Sequence, residues 1–204
     1  VTPWPDGTEL LERAIGYALG ALADVAVPAL GRPTPCRGWD LRTLLRHLDA
    51  SLGALREGVE RGRVTPEPTC EASGDVADPV PGVRERAARL LAAATAAQRS
   101  AGGAPRAASR GARPLALGAV TSAGALEIAV HGWDVHRARG RLDRPVPGAL
   151  AVELLRLAPL LVPPGSSARA PLFAAVRAVP LSASPGERLL AYLGRDPRVP
   201  PAHP

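Results

Sequence analysis

The strongest constraint on this chain is a run of six leucines, Leu41, Leu44, Leu45, Leu48, Leu52 and Leu55. Positions three and four apart share a face of a helix. The six therefore form one unbroken apolar stripe, which has to be buried against other helices. Asp40 stands directly before the stripe and is a candidate N-cap. Together these features predict a helix from Asp40 to about Arg61. His47 lies about 100° around the helix from Leu48, at the margin of the stripe.

The same period recurs along the chain. Leu11, Ile15, Ala18, Leu19 and Leu22 predict a first helix from Thr8 or Glu9 to about Val25, with Thr8 as its cap. Pro28, Gly31, Pro33 and Pro35 break the chain after it. Pro66, Pro68, Gly74, Pro79, Pro81 and Gly82 predict a surface loop over 63–82. A third helix is expected from Val83 to Ser100, and a loop follows around Gly102, Gly103, Pro105 and Gly111. A fourth helix should begin near Val120 and stop at Gly140, with Arg137 and Arg139 in its last turn. A fifth spans Ala149 to Leu161.

The remainder changes character. Leu172 to Leu181, with Val176 and Val179, predicts one or two short strands. Ser184, Pro185 and Glu187 spell a capping box that opens a short helix from Pro185 to Leu193. Residues 198–204 are expected to fray. The fold class that follows is mainly all-α. Residues 1–161 form a four-helix bundle, and residues 162–204 a small mixed α/β C-terminal extension.

Composition narrows the function. All 25 basic residues are Arg, and the chain has no Lys, Asn or Met. That is the signature of a gene rich in G and C, and it weakens any argument from the net charge of +6. The arginines are scattered, and three Trp, two Tyr and one Phe are too few for base-stacking platforms. No nucleic-acid partner is expected. No apolar run approaches the roughly 20 residues of a membrane span, so no membrane partner is expected either. The first residues have no basic patch followed by an apolar stretch, which predicts no secretory leader. Cys36 and Cys70 are far apart and make no CxxC, so a reduced, cytoplasmic setting is expected.

The fourth helix carries the chemistry. Glu127 and His131 are four apart, and His131 and Asp134 three apart, so the three share one face. Gly124, Ile128, Val135 and Ala138 lie on that face too, and they read as buried. A carboxylate in such surroundings is costly unless a hydrogen bond or a metal compensates it. Glu127 and His131 can present a carboxylate oxygen and an imidazole nitrogen to one point. An open zinc site needs a third protein ligand, and His47 on the second helix is the natural candidate. Two imidazoles and one carboxylate suit Zn²⁺, and also Ni²⁺ or Fe²⁺. The plainer alternative is an ordinary i,i+4 contact beside a core histidine. His136 points about 140° away from His131 and is not expected to join the trio.

Three blocks carry a resemblance. Thr34-Pro35-Cys36-Arg37-Gly38-Trp39-Asp40 with Leu44-Leu45-Arg46-His47-Leu48 resembles the TPCxGWD…LLxHL signature of the actinobacterial maleylpyruvate isomerase-like proteins of the DinB superfamily. Glu127 to Asp134 resembles that family's ExxxHxWD segment, and Ala183 to Pro197 its ASPxxRLLAxLGRDP block. The blocks occur in family order over residues 34–197. The resemblance implies a DinB-like up-down four-helix bundle with a divalent metal on His47, Glu127 and His131. It also implies a mycothiol-dependent isomerase or thiol S-transferase. The chain departs from the family pattern at Val135-His136-Arg137.

Other residues carry lesser expectations. Trp39 and Trp133 read as packing anchors. Asp134 is a candidate to orient a metal ligand, with capping or packing as the alternative. Cys36 reads as a buried structural thiol. Arg188 and Arg195 can grip a carboxylate or satisfy carbonyls and Asp196. The expected function is metal-dependent activation of a low-molecular-weight thiol, mycothiol-like, against a small electrophilic substrate, by a monomer or homodimer. The alternatives are a metal-assisted tailoring reaction without a thiol, or a non-catalytic binding protein on the same bundle.

Overall fold

A computed structural model describes residues 6–62, 77–102, 113–164, 169 and 173–198. Its helices are α1 (Gly7–Ala21), α2 (Leu41–Arg61), α3 (Val80–Gly102), α4 (Arg113–Ala138), α5 (Gly148–Leu161) and α6 (Pro185–Tyr192). A 3-10 turn, Val27–Ala29, lies between α1 and α2. Among the described residues there is no strand. No described helix is long and apolar enough to cross a membrane. Cys70, most of the expected 63–82 loop, the loop after α3 and the end of the chain lie outside the described residues.

The leucine stripe behaves as its spacing requires. Leu41, Leu44, Leu45, Leu48 and Leu52 of α2 are all buried. Asp40 caps the helix, accepting from the Thr43 amide at 2.8 Å, and Gly62 ends it at φ +68°. The stripe packs on α3 and α4, while α1 packs on α4. These four helices make the bundle. α5 leans on α4 and α6 on α5, and Leu189, Leu190 and Leu193 join the same continuous core.

Helix boundaries differ from expectation for physical reasons. The cap of α1 is Asp6, not Thr8: its carboxylate accepts from the Thr8 and Glu9 amides. Thr8 is the second residue of the helix and is buried. The helix stops at Ala21, short of Val25. α4 starts at Arg113, well before Val120. Pro114 and Gly118 in the missed turns read as breakers, but Pro114 is the second residue of the helix, where a proline is tolerated.

The expected strands between 172 and 181 are not formed among the described residues 173–180. A strand needs a partner strand, and this segment has a helix end beside it instead. The Arg177 amide donates to the Ala191 carbonyl at 2.9 Å, and its Nε to the Gly194 carbonyl at 3.0 Å. Arg169 is buried beside them and donates to the carbonyls of Pro163, Ala174 and Tyr192. The capping box of α6 is present as read.

α1 and α4 approach closely at Gly132. A Cβ there would lie 3.0 Å from Ala18 Cα and 3.2 Å from both Ala18 Cβ and Tyr17 Cδ1. Gly132→Val should therefore cost about 1–3 kcal/mol by overpacking. Urea denaturation of the purified variant checks this, and an unchanged midpoint contradicts the tight crossing.

Candidate metal centre

α4 presents Glu127, His131 and Asp134 along one face, and α2 presents His47 opposite. The Glu127 carboxylate lies between the two imidazoles. Its Oε1 is 2.8 Å from His47 Nε2 and 3.1 Å from His131 Nε2. The two rings stand edge-to-face with centroids 5.0 Å apart. The Ser51 hydroxyl, one turn after His47, donates to Glu127 Oε1 at 3.3 Å.

Behind His131 lies a second layer of polar groups. His131 Nδ1 is 3.0 Å from Asp134 Oδ2. Asp134 is fully buried and also receives Arg195, from Nη2 at 2.9 Å and from Nε at 3.4 Å. The Cys36 thiol donates to Asp134 Oδ2 at 3.2 Å. Its sulfur accepts from Arg195 Nη2 at 3.2 Å and lies 3.9 Å from His131 Nδ1.

The turn that delivers Cys36 explains the Thr34–Asp40 block. The Trp39 amide donates to the Cys36 carbonyl at 3.0 Å. Gly38 occupies the third position of that turn at φ +79°, where a side chain is disfavoured. The Thr34 hydroxyl donates to the Trp39 carbonyl at 2.9 Å and accepts from the Cys36 amide at 3.2 Å. The turn thereby sends Cys36 towards Asp134 and the Trp39 ring to 4.9 Å from the His47 ring.

Charge within the site is mutually balanced. Burial alone would raise the Glu127 carboxyl, but His131 and His47 hold it well below the usual range. Burial alone would lower His131, but Glu127, Asp134 and Cys36 raise it well above the ordinary histidine value. Asp134 is held down, against its burial, by Arg195 and His131.

Among the described residues, two trios bring ligand atoms within 4.8 Å of one another: His47, Glu127 and His131, and Cys36, His131 and Asp134. The first offers two imidazole nitrogens and a carboxylate oxygen, a donor set that fits a divalent ion of the zinc class. Asp134 accepts from Nδ1 and leaves His131 Nε2 for that ion, as outer partners of ligating histidines do. The second trio already has a cation, the Arg195 guanidinium on both Cys36 and Asp134. The first trio is therefore the candidate metal centre.

Arg188 is not brought here. Its Nε donates to the Ala183 carbonyl at 2.9 Å and its Nη2 to the Leu181 carbonyl. The guanidinium that reaches the centre is that of Arg195. Cys36 is half-buried at the centre rather than sequestered in the core. Trp133 is buried and carries Arg137 over its ring at 5.1 Å.

A family model described as the mycothiol maleylpyruvate isomerase N-terminal domain matches residues 11–136, which include all three candidate ligands. "Uncharacterized protein MT0763" of Mycobacterium tuberculosis (strain CDC 1551 / Oshkosh) is 32% identical over 193 residues, covering 92% of this chain and 96% of the relative. "Uncharacterized protein Rv0738" of Mycobacterium tuberculosis (strain ATCC 25618 / H37Rv) matches with the same identity and coverage. No solved structure matches the chain.

Proposed function

The chain belongs to the mycothiol maleylpyruvate isomerase N-terminal domain family, and from that premise we propose that it is a metal-dependent enzyme that activates a low-molecular-weight thiol, mycothiol or a close analogue. The thiol would be transferred to a small electrophile, or added and then eliminated so that the electrophile isomerises. The observation that supports this reading best is the meeting of His47, Glu127 and His131 across two helices, with ligand atoms within 4.8 Å.

His47, Glu127 and His131 would hold the ion, Zn²⁺ by preference and Ni²⁺ or Fe²⁺ as rivals. The chemistry such an ion supplies is acidification of a thiol at neutral pH. The chain's own residues keep the donors in place. Asp134 fixes the ring of His131, and Arg195 keeps Asp134 anionic. Ser51 anchors Glu127 from the α2 side. Trp39 borders His47 and gives a bound molecule an apolar surface. Donors held rigidly in this way need little rearrangement when a reacting group arrives. The reading also places the chain in the cytoplasm, where such thiols stay reduced.

Elemental analysis of protein purified without a histidine tag tests the metal, and one divalent ion per chain is expected. Mycothiol should raise the melting temperature of metal-loaded protein and not of chelator-treated protein. Metal-loaded protein should also isomerise maleylpyruvate only when mycothiol is present, with the thiol returned at the end of each turnover, or consume mycothiol with an activated alkene that keeps the added sulfur. A chain with no stoichiometric metal overturns the reading. Turnover that needs no thiol replaces it with metal-assisted tailoring on the same centre.

A further inference from the structure

On the far side of α4 from the metal centre, a cleft of about 480 Å³ opens between α1 and the segment that joins α4 to α5. We propose that this cleft is a second binding site, one that takes an oxyanion group, phosphate or carboxylate, of a small molecule.

Charge is the first argument. Arg139, Arg141 and Arg144 line the cleft, with Asp24 and Asp143 as the acidic groups among them. Arg139 is spoken for: it donates to the Ala21 carbonyl at 2.7 Å and to Asp24 at 3.3 Å. Arg141 and Arg144 share one carboxylate, Asp143, at 3.2 and 3.6 Å. Both of these guanidiniums are substantially exposed. Two exposed guanidiniums with one exposed carboxylate leave a positive charge for an incoming anion. Arginine forks suit phosphate and carboxylate alike.

His136 is the second argument. Its ring lines the cleft and packs against Tyr17 of α1, centroids 5.2 Å apart. Only 6% of the residue is exposed, and its Nδ1 is buried without a hydrogen-bond partner. In either neutral tautomer that nitrogen is a buried polar atom without a partner from the chain, a state that native proteins rarely leave uncompensated. Burial, with the charges of Arg139, Arg144 and Arg141, pushes the ring down to about 4, and Asp143 opposes this only weakly. The groups around it at neutral pH are thus Tyr17, Asp24, Asp143 and the three arginines.

The α1 wall is the third argument. Gly16 and Gly20, exposed and one turn apart on α1, line the same cleft. A Cβ at either position would meet nothing within 4 Å. Glycine inside a helix is disfavoured relative to alanine, and here no tight packing requires it. The two glycines keep the cleft open. Its occupant sits apart from the centre assigned above to thiol chemistry, so this site stands or falls independently of that reading.

The test is a titration of the purified chain with inorganic phosphate and, separately, with malonate. The ring signals of the histidines are followed by NMR, with His136→Gln identifying one of them. A saturable shift of the His136 signal is expected, with the signals of His47 and His131 unmoved. Phosphate acting more strongly assigns the group as a phosphate, and malonate acting more strongly as a carboxylate. Arg141→Ala with Arg144→Ala removes two charge-assisted contacts from exposed positions, and should weaken binding at least about tenfold. Gly20→Leu leaves every charge in place and projects a side chain from the α1 wall into the cleft, and should weaken binding to a similar degree while the fold stays intact by circular dichroism. No saturable shift with either anion overturns the proposal. So does unchanged affinity in the double arginine variant or in Gly20→Leu.

Discussion

Alanine at position 131 should abolish divalent-metal binding while leaving the bundle folded. His131 is the one residue common to both trios of candidate ligands. Its Nε2 faces Glu127 at 3.1 Å and its Nδ1 faces Asp134 at 3.0 Å. Its removal leaves His47 and Glu127, one residue from each helix, and takes away the ring that Asp134 orients. Loss of an outer partner alone typically costs about 10–100-fold in metal affinity, and loss of the ligand should cost more. Elemental analysis after dialysis against buffered zinc gives the readout. His131→Gln, which keeps a polar side chain of moderate size, guards against a variant that merely unfolds. The control is His136→Ala on the same helix, which should keep its metal. Full occupancy in both His131 variants would move the metal elsewhere or remove it from the story.

Much of this was legible in the sequence, and the reason lies in distance along the chain. The leucines of α2, the Asp40 cap and the Ser184 capping box are set within one or two turns, where spacing alone decides. Glu127, His131 and Asp134 also lie within two turns, so their common face could be read directly. His47 was reachable by elimination, because few histidines exist. Cys36 and Arg195 were harder. They stand 98 and 61 residues from Asp134, and no local period links them. Each belonged to a block noted for its resemblance, but neither block names its partner. Val176 and Val179 misled for the opposite reason. β-branched residues favour strands only where a neighbouring strand exists, and the end of α6 took that place.

Arg195→Met should be the most destabilising exchange that leaves the metal ligands untouched. Asp134 has no exposed surface, and Arg195 covers it from two guanidinium nitrogens. Removing one member of a buried ion pair typically costs about 3–5 kcal/mol, and the lower end is expected here because His131, 3.0 Å away, still compensates part of the Asp134 charge. Met fills similar volume, so the loss reports charge rather than a cavity. The double variant Asp134→Asn with Arg195→Met should recover much of that loss, since a neutral amide needs no counter-ion. Urea denaturation of wild type, both single variants and the double variant closes the cycle, and its coupling energy should exceed about 1 kcal/mol. The competing view makes Arg195 a mere tie for the tail, through its 3.4 Å bond to the Leu193 carbonyl. On that view the double variant is no better than Arg195→Met alone. Metal affinity separates the two views again. If Arg195 acts through Asp134 on His131, then Arg195→Met should weaken metal binding by roughly the 10–100-fold seen for outer partners, although it touches no ligand. If it only ties the tail, affinity stays at the wild-type value while stability falls.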